Sequence, residues 1–309
     1  MKILLTGASS FTGTWFALGL AKAGHEVIAP LGSELKEYQG IRRRRLDLLE
    51  EAAVKIFPGI PFGEEPFRLL VKEGVDVLCH HRAVTRNYQS EAFDVPEALR
   101  ENTRNFPGIL QGGRSGGLRA VVMTGSIFEA EEGTGSLPLR SFSPYGLSKG
   151  FTYLMAQFWA EKLGVPIYKY VIPNPFGPWE EPRFCDFLIR HWFREETPTV
   201  RTPVYVRDNI HVDLLTLGYV DMVERAGRGI PPFRCNPSGY TESQGEFAQR
   251  FAREMRHRLG LATPLQFADQ VDFSEPEVRI NTDRLDFDWS EKEAWDRLAE
   301  YYRAKYYPK

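Results

Sequence analysis

Short apolar runs alternate with longer mixed segments through the first half of the chain, and that alternation predicts strands separated by helices. Ile3, Leu4 and Leu5 read as a short buried strand, with residues 15–23 as the helix that follows. Gly24 ends that helix, and 25–30 read as a second strand with Pro30 at its C-terminal end. A third strand is expected to include 43–46, while the Pro- and Gly-rich stretch 57–66 reads as a loop. The pattern then predicts a strand at 74–80, a helix around 93–111, a turn at 112–117 and a strand at 118–124 that ends in Gly125 and Ser126. A polar loop, 129–143, leads to a helix opened by Pro144 and Tyr145, and further strands are drawn at 165–172 and 205–206. Repetition of this regularity predicts an α/β fold of the Rossmann type, with a doubly wound parallel sheet.

From Pro173 onward the texture changes. Pro173, Pro175, Pro178, Pro182, Pro198 and Pro203 interrupt the periodicity, and Trp179, Phe184, Phe187, Trp192 and Phe193 cluster between them. The expected division is therefore a dinucleotide-binding domain over 1–172 and a smaller, irregular, mainly substrate-binding region over 173–309, with some segments returning to the first. The aromatic cluster reads equally well as plain core.

Composition narrows the partners. The chain has 309 residues, 42% of them hydrophobic and 26% charged, which is ordinary for a globular protein with a substantial core. Its 39 basic and 41 acidic side chains leave a net charge of -2, which gives no reason to expect a nucleic acid or an anionic membrane as partner. The run Arg42 to Arg45 is open to two readings, a solvated strand edge or a place near a cofactor phosphate. Cys79, Cys185 and Cys235 are widely spaced and suit a reducing cytoplasm. Met1 and Lys2 pass straight into the first strand and no run approaches the length of a membrane span, so neither a leader nor a membrane segment is expected. His80 and His81 lack a third ligand at suitable spacing, and no metal is expected.

The segment Thr6-Gly-Ala-Ser-Ser-Phe-Thr-Gly13 carries the first chemistry. Gly7 permits a tight turn, Gly13 lets the helix pack closely, and the helix N-terminus offers free amides to a pyrophosphate. The middle glycine of G-x-x-G-x-x-G is replaced by Ser10, whose hydroxyl could donate to the same phosphate. After the second strand the usual acid for a ribose 2′-hydroxyl is missing, because Leu31, Gly32 and Ser33 stand there, yet no Arg or Lys stands there either. NAD or NADP is expected, with a lean to NADP. Asp47 reads either as a group reaching the adenine edge or as a helix N-cap. The fourth strand delivers His81 and Ala83 to the carboxyl edge of the sheet, where open α/β folds bind ligands.

The second chemistry lies at Tyr145 and Lys149, four apart at a helix start and so on one face. A phenol with an ordinary pKa of ~10 exchanges protons at neutral pH only with a neighbouring cation, and Lys149 is placed to supply it. Ser126, at the tip of the preceding strand, can share a substrate oxygen with Tyr145.

These residues resemble the extended short-chain dehydrogenase/reductases, in particular the NAD-dependent epimerase/dehydratase group that acts on nucleotide sugars. The resemblance covers nearly the whole chain. Thr6 to Gly13 is similar to the family's T-G-x-x-G-x-x-G, and Thr124-Gly-Ser126 with Tyr145-Gly-Leu-Ser-Lys149 resembles its Ser…Y-x-x-x-K set. Asn102 matches the helix asparagine of N-x-x-G-T-x-N, a motif only partly kept, since Arg104 and Asn105 follow. Pro173-Asn-Pro-Phe-Gly-Pro178 resembles the N-x-x-G-P turn, and Val206-Arg-Asp-Asn-Ile-His-Val-Asp213 resembles R-D-x-I-H-V-x-D. The resemblance implies sugar-nucleotide contacts at Asn174, a grip on the diphosphate at Arg207, and a homodimer formed by two-helix packing. The alternative for Arg207 is a salt bridge to Asp208 or Asp213.

On this reading Ser126, Tyr145 and Lys149 are catalytic, and Ser126, Asn174 and Arg207 bind a nucleotide-activated sugar or keto sugar. Cofactor contacts are expected at Gly7, Ser9, Ser10, Phe11, Thr12, Gly13, Asp47, Leu48, His81, Ala83, Asn102, Tyr145, Lys149 and Pro173. The family's sugar 4,6-dehydratases place an acid close behind the catalytic Ser/Thr, where this chain has Ile127 and Phe128, with Glu129 only at the end of the turn. Epimerisation or 4-keto reduction is therefore expected over dehydration. Two alternatives stand beside it: a catalytically quiet dinucleotide sensor or scaffold on the same fold, and reduction of a non-sugar carbonyl.

Overall fold

The computed structural model describes residues 1–307, which form two compact units. The first comprises 1–132, 139–172 and 216–236, and the second 133–138, 173–215 and the chain from 237. In the first unit the order is β1 (Lys2–Leu5), α1 (Phe11–Lys22), β2 (Glu26–Pro30), α2 (Gly40–Glu51), β3 (Lys55–Phe57), α3 (Glu65–Lys72), β4 (Val77–His80), α4 (Val95–Asn102), α5 (Phe106–Ser115), β5 (Ala120–Ser126) and α6 (Pro144–Lys162). Strands Ile167–Ile172 and Arg234–Cys235 complete a seven-stranded sheet, ordered Arg234–Cys235, Ile167–Ile172, β5, β4, β1, β2, β3, in which every pairing is parallel.

The chain winds outward from β1 to β3, then crosses back to β4 and winds the other way. This is the expected doubly wound α/β arrangement, and the reversal leaves a crevice beyond the carboxyl ends of β1 and β4. Strands buried on both faces must be apolar throughout, and Ile3, Leu4, Leu5, Val77 and Leu78 have no exposure. Leu78, Val121 and Met123 pack against Phe67, Phe106, Ile109 and Ala156 to form the core on one side of the sheet.

Residues 43–46 are helix, where a strand was expected. They lie in α2, which buries Arg45, Leu46 and Leu49 at helical spacing. Four successive arginines hid that period, because Arg45 occupies an interior position. The third strand is Lys55–Phe57, paired with β2 at the start of the expected loop. Residues 93–111 do not form one helix: the chain breaks at 103–105, where Asn105 takes a left-handed conformation (φ 51°), and α5 continues into the expected turn. Gly113 and Gly116 are there for proximity as much as turning, since a Cβ would lie 2.7 Å from Leu118 Cδ2 and 2.3 Å from the Lys72 carbonyl oxygen, respectively.

In the second unit, strand Val206–His211 begins within the expected 205–206 strand and runs on for five residues beyond it. It pairs antiparallel with Tyr240–Ser243 and parallel with Asn174–Phe176 and Val278–Ile280, the last of which also pairs with Thr134–Gly135. Helices Phe184–Trp192, Gln244–Leu259 and Glu291–Tyr306 contribute to a core of Phe176, Trp192, Phe247, Phe251, Trp295 and Tyr302. Of the aromatic cluster, Trp192 is wholly interior, Phe184, Phe187 and Phe193 pack at its margin, and the Trp179 ring lies 5.1 Å from that of Tyr301.

Candidate active site

The turn after β1 is built from backbone proximity. Gly7 has φ +76°, and a Cβ on Gly13 would lie 2.2 Å from the Gly7 carbonyl oxygen, so neither position admits a side chain without moving the turn. Ser10 caps α1: its hydroxyl donates to the Gly7 carbonyl at 2.8 Å and accepts the Gly13 amide at 3.2 Å. That hydroxyl fastens the turn. A close-packed glycine turn feeding a helix N-terminus is a fitting cradle for the pyrophosphate of a dinucleotide. Around it, Ser9 and Phe11 are buried, and Thr12 Oγ1 lies 3.1 Å from His81 Nε2.

His81 links this turn to β5. Its Nε2 lies 3.1 Å from both Ser10 Oγ and Thr12 Oγ1, and its Nδ1 lies 3.0 Å from Thr124 Oγ1. Burial pushes His81 down to about 3, so the ring is neutral. His80 is likewise neutral, pushed down to about 3 by burial, with Nε2 2.9 Å from the Asn102 carbonyl and its ring stacked on Phe62. Asn102 is buried between segments: Oδ1 accepts the Val84 amide at 2.9 Å, and Nδ2 donates to Thr152 on α6 at 3.3 Å. It thereby fixes the half-buried Ala83 beside the crevice. Asp47 and Leu48 lie within α2, and Asp47 pairs with Arg43 at 2.6 Å, one turn back. Asp47 neither follows a strand nor caps a helix.

Tyr145 and Lys149 stand on the first turns of α6, whose N-cap Ser143 accepts the Gly146 amide. Gly146 seats this helix, because a Cβ there would lie 2.1 Å from the Phe128 carbonyl oxygen in the turn after β5. The Ser126 hydroxyl accepts the Phe128 amide at 3.2 Å. Edges of the Tyr88, Phe93 and Phe128 rings surround the Tyr145 ring, with centroids 5.6, 6.0 and 6.4 Å away. Lys149 Nζ donates to the Thr124 carbonyl, two residues before Ser126. All three catalytic candidates thus gather at the carboxyl end of β5. Lys149 is 4% exposed, and burial pushes its ammonium from 10.5 down to about 8, against the opposing pull of Glu129.

Beneath Ser126 is a charged cluster that spacing did not reveal. Glu129 accepts the Ser126 amide at 2.7 Å and pairs with Lys169 at 2.5 Å, and Lys169 also pairs with Glu132. Glu129, Glu132 and Lys169 are 1%, 1% and 3% exposed. A carboxylate so enclosed and committed is not available to take a proton from a substrate carbon. The one signal in sequence was Lys169 itself, a cation inside an otherwise apolar strand.

In the second unit, Pro173 is buried ahead of strand Asn174–Phe176, and Asn174 faces Asn209 across the pairing with Val206–His211. Arg207 is 9% exposed, with Nη1 donating to the carbonyls of Val206, Pro276 and Glu277 and Nη2 to Glu275 at 2.9 Å. Its ion pair is thus with Glu275. The acids considered from sequence are engaged elsewhere, Asp208 with the Gly239 amide and Asp213 with Arg297. This unit also has an open cavity of about 610 Å³, lined in part by Phe187, His191, Arg201 and Gln244. Among the described residues no group of three His, Cys, Asp or Glu side chains could hold a metal ion, and no helix is long and apolar enough to cross a membrane.

A model of the NAD dependent epimerase/dehydratase family matches residues 3–228. The chain belongs to this family. NAD-dependent epimerase/dehydratases are enzymes of the extended short-chain dehydrogenase/reductase type, as the two motifs implied. Among curated proteins, a UDP-2-acetamido-2,6-beta-L-arabino-hexul-4-ose reductase from Pseudomonas aeruginosa is 25% identical over 277 residues, 85% of this chain. The chain spans 60% of that relative's length. Solved structures share the fold at low identity. A UDP-glucuronic acid 4-epimerase from Bacillus cereus, in complex with UDP-glucuronic acid and NAD, superimposes with a TM-score of 0.76 at 17% identity over 99% of this chain and 100% of that one. A dTDP-glucose 4,6-dehydratase from Streptomyces venezuelae, with NAD bound, gives 0.73 at 17% identity over 98% and 97%.

Proposed function

We propose that this epimerase/dehydratase-family chain is an NAD(P)-dependent nucleotide-sugar epimerase or 4-keto-sugar reductase, with Ser126, Tyr145 and Lys149 at its reacting centre. The observation that carries the reading is the gathering of Ser126, Tyr145 and the buried Lys149 at the end of β5, in the unit that holds the glycine turn. A bound nicotinamide supplies or accepts hydride there. Tyr145 moves the proton of the sugar hydroxyl or carbonyl, Lys149 lowers the cost of the phenolate, and Ser126 holds the sugar oxygen.

The commitment of Glu129 and Glu132 to Lys169 supports the preference against dehydration. Relatives that bind UDP-linked sugars support a nucleotide diphosphate as the substrate's handle. We assign its recognition to the second unit, with Asn174 and Arg207, the latter exchanging Glu275 for the diphosphate. A homodimer is supported by an apolar face on α6, where Leu147, Phe151, Leu154 and Phe158 recur at spacings of four, three and four while 39–60% exposed. Three widely spaced cysteines fit a reducing, cytoplasmic setting.

The test is incubation of the purified protein with a panel of nucleotide sugars, each with NAD⁺ and with NADP⁺, and of nucleotide 4-keto sugars, each with NADH and with NADPH, followed by mass spectrometry of the products. Conversion without net cofactor consumption identifies an epimerase, and stoichiometric oxidation of the reduced cofactor identifies a reductase. Failure to convert any member of the panel contradicts the proposal.

A further inference from the structure

The end of β2 lacks the carboxylate that would hold a ribose 2′-hydroxyl and repel a 2′-phosphate, and α2 brings arginines from later in the chain to the glycine turn after β1. A short 3-10 segment, Leu35–Glu37, and Gly40 (φ +54°) lead into α2, which packs against α1. From its first turn Arg42 reaches across to the glycine turn, where Nη2 donates to Ser9 Oγ at 2.6 Å and the guanidinium lies 5.1 Å from the centre of the Tyr38 ring. Arg45, one turn on and wholly buried, donates to the Ser9 carbonyl at 3.3 Å. Their neighbour Arg43 is engaged by Asp47 and Glu50. Among the described residues Arg42 forms no ion pair. It is an exposed cation at the lip of a dinucleotide turn whose hydrogen-bond partner is a neutral hydroxyl.

A guanidinium fork is matched far better by a phosphate dianion than by one hydroxyl. Tyr38 restrains the fork, so less rotamer freedom is lost when an anion docks. We propose that Arg42, seated on Ser9 and Tyr38, receives the 2′-phosphate of the cofactor's adenosine and makes the site selective for NADP over NAD. This rests on the dinucleotide site assigned above and adds the residue that chooses between the two cofactors.

The test is direct binding of NADPH and NADH to the purified protein, followed by quenching of its tryptophan fluorescence, with 2′,5′-ADP and ADP as fragment probes. NADPH is expected to bind the wild type about tenfold or more tighter than NADH, the value of one charge-assisted contact. Arg42→Ala is expected to bring that ratio to within about twofold of one, and Arg42→Lys to retain part of it. Arg42 is exposed, and circular dichroism checks that each variant is folded. Equal or tighter binding of NADH by the wild type overturns the proposal, as does an Arg42→Ala variant that weakens both dinucleotides alike. If the wild type binds neither dinucleotide, the underlying assignment of the site fails as well.

Discussion

Lys149 concentrates the physical cost of the site in one residue. Its ammonium is 4% exposed and held at about 8, so at neutral pH the folded protein carries a charge in a place that disfavours it. Between about 8 and 10.5 the unfolded chain keeps this proton while the folded chain has released it, so the Lys149 contribution to stability rises with pH across that window. Lys149→Met is expected to stabilise the fold by about 2–3 kcal/mol at pH 7, seen as a higher urea midpoint, while turnover is lost. The activity of the wild type depends on the charged form, and its rate is expected to fall along an alkaline limb with a midpoint near 8. A rate that stays level through that range would show that the ammonium charge is not required. His80 and His81, both near 3, contribute no limb at physiological pH.

At the scale of elements, one glycine and one buried ion cluster set the geometry. Gly13 holds α1 against the turn, and Gly13→Ala is expected to weaken NADH and NADPH binding by more than about tenfold, read by fluorescence titration, because the turn must open to admit the methyl group. Glu129 ties the tip of β5 to Lys169. Glu129→Gln leaves a buried lysine with half its compensation, and a loss of about 3–5 kcal/mol is expected from denaturant melts. It also removes the main influence that raises Lys149, so the alkaline limb is expected to move to lower pH. An unmoved limb would separate the cluster from the chemistry.

The central strands β1, β4 and β5 were legible because they are buried on both faces and read as apolar runs, and the helix of Tyr145 was legible through its Pro-Tyr start. Helix α2 was not, because the aliphatic stem of Arg45 serves as core while the sequence shows only charge. The Gly7 to Gly13 turn and the Y-x-x-x-K pair announce themselves as local spacings. The neighbours that complete the site do not: Arg42 lies 33 residues from Ser9, and Lys169 lies 40 from Glu129.

For the whole molecule, the first unit supplies a doubly wound sheet with its crevice at the β1–β4 reversal, and the second supplies a mixed sheet around Val206–His211 with three helices around an aromatic core. An apolar stripe as exposed as that on α6 calls for a cover, and a second copy of the chain is the proposed one. Phe158→Glu, which places a charge on a side chain 57% exposed, is expected to yield a monomer in sedimentation velocity with no loss of helical signal. A wild type that already sediments as a monomer would remove the dimer from the account.

The central claim is that Tyr145 exchanges the proton while a nicotinamide exchanges hydride with a nucleotide-linked sugar. Its most direct test is the single-turnover rate of the wild type and of Tyr145→Phe on the best substrate of the panel. The account predicts a loss of about 10²–10⁴-fold, with binding of the cofactor preserved. A Tyr145→Phe rate equal to that of the wild type would contradict it.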